Sequence, residues 1–238
     1  MRTLCLVLGA LLLPRAAPAQ VIISLLFGDA LNTGRVEFGL DGGLNFASLR
    51  GPDDAGSLRT WNLGFYFDIR LDNPAWLIHT GVIVKSTMGA EDQPPYPLGD
   101  GTLDSLFAGG NVTTRLRYFN VPVMLKYRMP NHFFVEGGGM AGLLYEATDE
   151  FLAAVEDEDD LTHERDVEDD YDRLDAGIIV GAGYRLFGGN GMNLGVRYYH
   201  GLVDVGRDGA AAERFNRSVY LTVGIPIGAG EEEAGEAR

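Results

Sequence analysis

Between Leu174 and Tyr199 the chain reads LDAGIIVGAGYRLFGGNGMNLGVRYY. Leu174, Ala176, Ile178, Val180, Ala182, Tyr184 and Leu186 share one parity, and Asp175, Gly177, Gly181, Gly183 and Arg185 share the other. A period of two predicts a β-strand with one apolar face. Beyond the five residues 187–191 the alternation resumes, with Met192, Leu194, Val196 and Tyr198 opposite Asn193, Gly195 and Arg197. The two runs therefore predict a hairpin.

The same pattern recurs along the chain. Residues 36–48 set Val36, Phe38, Leu40, Leu44 and Phe46 against Glu37, Gly39, Asp41, Gly43 and Asn45. Residues 58–71 set Trp61, Leu63, Phe65, Phe67 and Ile69 against Asn62, Gly64, Tyr66, Asp68 and Arg70. Further strands are predicted at 75–88 (His79, Gly81 and Lys85 on the polar face), 114–128 (Asn120, Pro122, Lys126, Arg128), 132–146 (His132, Glu136, Gly138, Gly142, Glu146) and 215–227. Asp72, Asn73 and Pro74, then Pro130 and Asn131, then the glycines of 188–191 mark tight turns. Residues 89–113, rich in proline and glycine, predict a long irregular loop, and residues 147–171 a solvated acidic one.

Eight strands of this length exceed what a soluble sheet needs and suit tilted membrane strands, which require roughly 9–11 residues within the hydrocarbon. Short connections alternate with long ones, as in a barrel with short periplasmic turns and long outer loops. The expectation is an all-β, eight-stranded antiparallel up-and-down transmembrane β-barrel with both termini periplasmic. Glycine crowds the polar face, which suits a narrow interior. Apolar-face aromatics gather near strand ends, Trp61, Tyr145 and Tyr198 toward the outer rim and Trp76, Tyr127, Phe133 and Tyr184 toward the periplasmic rim. Glu37, Asp41, Asp68 and Glu136 share the polar face with Arg70, His79, Lys85, Lys126, Arg128, Arg185 and Arg197. Buried charges must pair, so these residues predict an ion-pair network and a plugged core.

Composition adds an address. Arg2, the apolar run 4–13 and the small residues Ala17 and Ala19 predict a signal peptide at 1–19, followed by an N-terminal segment 20–35, the barrel domain 36–228 and an acidic tail 229–238. Removing 1–19 leaves 17 basic and 34 acidic side chains, a formal charge of −17, which argues against nucleic acid as a partner. The single cysteine, Cys5, lies within the signal peptide, so a thiol nucleophile, a disulfide framework and a cysteine metal site are excluded from the mature chain.

The stretches RYFNVPVMLKYRM (117–129), VEGGGMAGLLYE (135–146), LDAGIIVGAGYRL (174–186) and LGVRYYHGLVDV (194–205) resemble the small outer-membrane β-barrel domain family, the porin-like group with OmpX-like and PorT-like members. That resemblance implies an eight-stranded meander in the outer membrane of a Gram-negative cell, surrounded by outer-membrane lipid and inserted by the barrel-assembly machinery. It implies no substrate. Many such barrels end on an aromatic residue, whereas this chain has Ile225, Pro226 and Ile227 and then acidic residues.

Candidate chemistry is sparse. Carboxylates at 156–160 offer hard oxygen ligands for a divalent cation, but without the glycine and spacing of an EF-hand loop. His79 and Asp68 fall on adjacent strands and are read as members of a structural network. His200 and His163 join no serine and acid in a recognisable arrangement. Lys126 and Glu136 are expected to form a diagonal ion pair. With no catalytic, cofactor-binding or metal residue to assign, the chain reads as a non-enzymatic barrel whose acidic loop 147–171 offers protein or cation contacts. A narrow channel or secretion component and an outer-leaflet enzyme are the alternatives.

Overall fold

The computed structural model describes residues 34–51, 55–155, 158–207 and 213–227. The expected signal peptide, most of segment 20–35 and the tail 229–238 lie outside them. Among the described residues nine strands form: β1 (Val36–Arg50), β2 (Leu58–Arg70), β3 (Trp76–Gln93), β4 (Asn111–Arg128), β5 (Phe133–Val155), β6 (Glu158–Asp166), β7 (Leu174–Arg185), β8 (Asn193–Gly201) and β9 (Phe215–Pro226). One short helix, α1 (Gly101–Phe107), lies between β3 and β4.

Eight of these strands close a ring. Each pairs antiparallel with the next, β5 passes to β7, and β9 returns to β1 from Gly39 opposite Pro226 to Arg50 opposite Phe215. The ring is the eight-stranded up-and-down barrel that the alternation predicts, and closure leaves no open sheet edge in lipid.

The outer side differs from the expected loops. Residues 147–171 are largely paired: β5 continues to Val155, and β6 folds back along it from Asp166 opposite Thr148 to Glu158 opposite Val155. Phe151, Ala153 and Leu161 give this hairpin an apolar face to bury, a signal hidden by the surrounding carboxylates. Residues 89–113 are likewise not irregular throughout. β3 runs on to Gln93, β4 begins at Asn111, and Asp100 caps α1 by accepting from the Thr102 and Leu103 backbone N–H groups at 2.8 and 3.4 Å.

Outward positions are apolar as expected: Leu44, Val123, Leu143, Val180, Val196 and Leu221 are all exposed. Trp76 packs on Tyr127 and Phe133 on Tyr184 at the periplasmic rim, and Tyr145 stacks on Phe119 nearer the outer rim. Inside, glycine makes room for rings. A Cβ on Gly39 would lie 2.3 Å from the Tyr66 ring, and one on Gly183 would lie 2.3 Å from that of Phe134.

Two cations assigned to the interior are not there. Arg70 ends β2 in an exposed position and donates to the Gly34 carbonyl. Lys85 is turned outward by a β-bulge: Gly64 pairs with Ile83 but the preceding Leu63 pairs with Lys85, so Val84 is an extra residue. Ile83 and Ser86 point inward, Val84 and Lys85 outward. A second bulge, at Tyr145, shifts β5 against β4 and leaves Glu146 half-exposed beside Arg117 instead of on the buried face.

Candidate functional site

The periplasmic half of the interior is built from residues that strict alternation aims inward at one level. Asp68 on β2 stands opposite both Glu37 on β1 and His79 on β3. Its Oδ1 lies 2.6 Å from His79 Nδ1, and its Oδ2 accepts from Lys126 Nζ at 2.9 Å. Arg185 donates two parallel hydrogen bonds to Glu37, at 2.9 and 2.7 Å, and Tyr66 donates to the same carboxylate while stacking on His79. Arg197 binds both Glu136 and Asp41 and brings Nη2 to 3.1 Å from His79 Nε2. A guanidinium only donates, so His79 Nε2 is the acceptor and its Nδ1–H donates to Asp68.

Four carboxylates (Glu37, Asp41, Asp68, Glu136) thus face four cations (Lys126, Arg128, Arg185, Arg197), with the His79 ring between them. This balance is what burial of charge requires. The Lys126–Glu136 pair is directly opposed in register, not diagonal, and is the looser contact at 3.9 Å, because Lys126 is drawn to Asp68.

Above this layer the interior turns from ion pairs to hydroxyl, amide and apolar groups around the carboxylate of Asp175. Asn45 donates to the Thr87 carbonyl, Asn120 donates to Ser86, and Asn216 donates to Asp175 at 2.9 Å. Met88, Met124, Met140, Ile179, Tyr199 and Tyr220 pack between them, and Val167, Tyr171 and Val205 from the outer connections close the top of the same cluster. His79 and Asp68 therefore sit inside a filled core, not in a cleft that a substrate reaches.

Beyond the barrel a second cluster holds the outer hairpin. Phe151 packs edge-on against Phe107 of α1 and against Tyr96, and Val112, Ala153, Leu103 and Leu161 complete the group. Tyr96 and Thr114 donate to opposite oxygens of the buried Asp149 carboxylate, at 2.7 and 2.6 Å. Beside them lies a cavity of about 180 Å3 lined by Gln93, Tyr96, Asp149, Tyr171 and Arg214. Burial raises the Tyr96 phenol, with the Asp149 hydrogen bond adding to it, and burial pushes Tyr171 up to about 12, so both hold their protons. Arg214 donates to the Tyr171 hydroxyl at 2.7 Å.

Of the remaining candidates, His163 lies on β6 beside Phe107 and Phe151, and His200 is half-buried against Tyr198. Neither is brought to a serine–acid pair. Of the carboxylates at 156–160, Glu156 and Asp157 lie outside the described residues, as do the side chains of 158–160. Sequence reading missed the outer platform, whose signal was the spacing of Phe151, Ala153 and Leu161. It also missed Arg115 and Arg117, basic residues on the same parity as the lipid-facing Phe119 and Val121.

A closed eight-stranded ring with an apolar exterior and an ion-paired interior layer is the architecture of a small outer-membrane barrel. The model of the outer membrane protein beta-barrel domain family matches residues 19–206. The chain belongs to this family. It resides in the outer membrane. Solved structures similar to this member of the family include Ail, the attachment invasion locus protein of Yersinia pestis, at 12% identity and a TM-score of 0.42, covering 81% of this chain and 99% of that one. Neisserial surface protein A is similar at 10% identity and a TM-score of 0.40, covering 80% and 96%. OprG of Pseudomonas aeruginosa is similar at 12% identity and a TM-score of 0.35, covering 81% and 94%. No curated protein matches the sequence.

Proposed function

We propose that this barrel is a non-enzymatic anchor that presents an acidic outer surface, formed by the β5–β6 hairpin and α1, to a partner outside the cell. The observation that carries this reading is the second apolar cluster around Phe107 and Phe151, which gives the outer hairpin a fixed shape beyond the barrel. Residues 147–171 bear twelve acidic side chains and one arginine, so the complementary partner is a protein with a basic face, or one bridged by divalent cations. The filled, ion-paired interior favours this role over that of a solute channel.

The test has two arms. Purified protein in planar bilayers is expected to remain silent, and reproducible single-channel openings would replace the anchor reading with the channel. In pull-downs from cell surfaces, wild type is compared with a variant carrying Glu158→Gln, Asp159→Asn, Asp160→Asn, Glu168→Gln and Asp169→Asn. Salt-sensitive capture of one basic partner, lost in the variant, is the expected result. Equal capture by both rejects the acidic surface.

A further inference from the structure

The outward face of the barrel carries a basic cleft at one height on one side. Arg59 from β2, Lys85 from β3 and Arg115 and Arg117 from β4 converge on a cavity of about 540 Å3 whose walls include Trp61 and Tyr145. The two β-bulges described above, at Val84 and Tyr145, lie on the strands flanking β4 at this level, and the first is what turns Lys85 out of the lumen. Bulges recur where a strand must re-aim a side chain.

The height is that of the outer lipid headgroups. Leu71, whose N–H bonds to the Trp76 carbonyl at the periplasmic girdle, stands ten residues from Trp61. Tilted strands rising ~3.3 Å per residue convert that to ~25 Å, the thickness of the apolar band of such barrels. Trp61 and Tyr145 are exposed, as girdle residues are.

Among the described residues, two of the four cations in the cleft are paired and two are not. Arg115 pairs with Glu150 and Arg117 with Glu146, both pairs half-exposed. Lys85 lies 3.6 Å over the Trp61 ring and Arg59 lies over Phe46, and neither has a carboxylate within 4 Å among the described residues. Glu164, opposite Glu150 on β6, also acts on Arg117, so among the described residues the unpaired cations of the cleft are Arg59 and Lys85, on a chain that is otherwise strongly acidic. Cations on a barrel's outer wall are tolerated near the interface and are attracted there to anionic headgroups.

We propose that this cleft binds the phosphate of an anionic lipid headgroup in the outer leaflet. Arg59 and Lys85 supply the uncompensated charge, Arg115 and Arg117 are oriented by their glutamates, and Trp61 and Tyr145 pack against the glycerol or sugar at the base of the headgroup. The bilayer delivers such a ligand in the required orientation, its phosphate level with the cations and its acyl chains along the apolar wall.

The test uses the full barrel in phosphatidylcholine nanodiscs doped with phosphatidic acid, with retained lipid read by native mass spectrometry. Wild type is expected to enrich phosphatidic acid. The outward-facing double variant Arg59→Gln with Lys85→Gln is expected to lose that enrichment about thirty-fold, the effect of removing two cations at a membrane surface. The charge-keeping variant Arg59→Lys with Lys85→Arg retains it, and Arg207→Gln, off the cleft, leaves it unchanged. Folding is checked by heat-modified gel migration, and if the double variant does not fold, Arg59→Gln alone is expected to lose about five-fold. Undiminished enrichment in the folded double variant, or in Arg59→Gln alone, overturns the proposal. So does complete displacement of the lipid by millimolar inorganic phosphate, which would make free phosphate the ligand.

Discussion

Arg197 and Glu136 meet through a gap left by a glycine. Glu136 on β5, Gly181 on β7 and Arg197 on β8 stand in one register row, and a Cβ on Gly181 would lie 2.9 Å from Arg197 Cγ and 3.2 Å from Glu136 Oε1. The glycine lets strands that are not neighbours share an ion pair, and the pair is anchored further by Asp41 from β1. Interior charge is thus knitted across the barrel rather than only between adjacent strands.

Arg197→Met removes the cation that serves two buried carboxylates. Leaving buried charge unpaired costs about 3–5 kcal/mol. Urea unfolding in lipid vesicles, followed by tryptophan fluorescence, is expected to show a loss of that size, larger than that for Arg207→Met on the outer surface.

Gly181→Val inserts a side chain into the Arg197–Glu136 row. Overpacking of this kind costs about 1–3 kcal/mol. The effect is expected to shrink in part when Arg197→Ala is already present, because the nearest clash is with that side chain, while the Val196 carbonyl at 3.0 Å remains. Full additivity in the same unfolding assay would contradict the arrangement.

Lys126 has two carboxylates to choose from, Asp68 at 2.9 Å and Glu136 at 3.9 Å. Double-mutant cycles are expected to give a coupling of about 1–3 kcal/mol for Lys126 with Asp68, and a smaller one for Lys126 with Glu136. Equal couplings would mean that the lysine is shared evenly.

Phe151→Ala empties the centre of the outer cluster without touching the barrel interior. Large-to-small changes at such sites cost about 3–5 kcal/mol of local packing. Limited proteolysis of intact cells is expected to cut the β5–β6 hairpin in this variant and spare it in wild type, while the barrel keeps its heat-modified gel migration. A hairpin that resists protease in both would show that β pairing alone holds it.

The positions of the barrel strands could be read from the chain because alternation is a local property that lipid and lumen both enforce. Leu174, Ile178 and Val180 on one side and Asp175 and Arg185 on the other leave one orientation once the barrel is closed. The outer hairpin could not be read the same way. Its acidic residues dominate the composition, and the apolar partners of Phe151, on α1 and β4, come from roughly forty residues earlier in the chain. Lys85 was misassigned for a related reason: one inserted residue inverts parity, and a bulge leaves little mark on a periodic pattern.

By itself the sequence determined the eight strands of the ring, their faces, the girdles and most of the charges that would have to be buried together, since each follows from side-chain period and the cost of burying charge. Only the tertiary structure decided who pairs with whom. Asp68 over Glu136 for Lys126, the Gly181 gap between Arg197 and Glu136, the outward turn of Lys85 and the closure of the top by Val167, Tyr171 and Val205 all depend on shear and register around a closed ring. Those are set by the packing of eight strands at once.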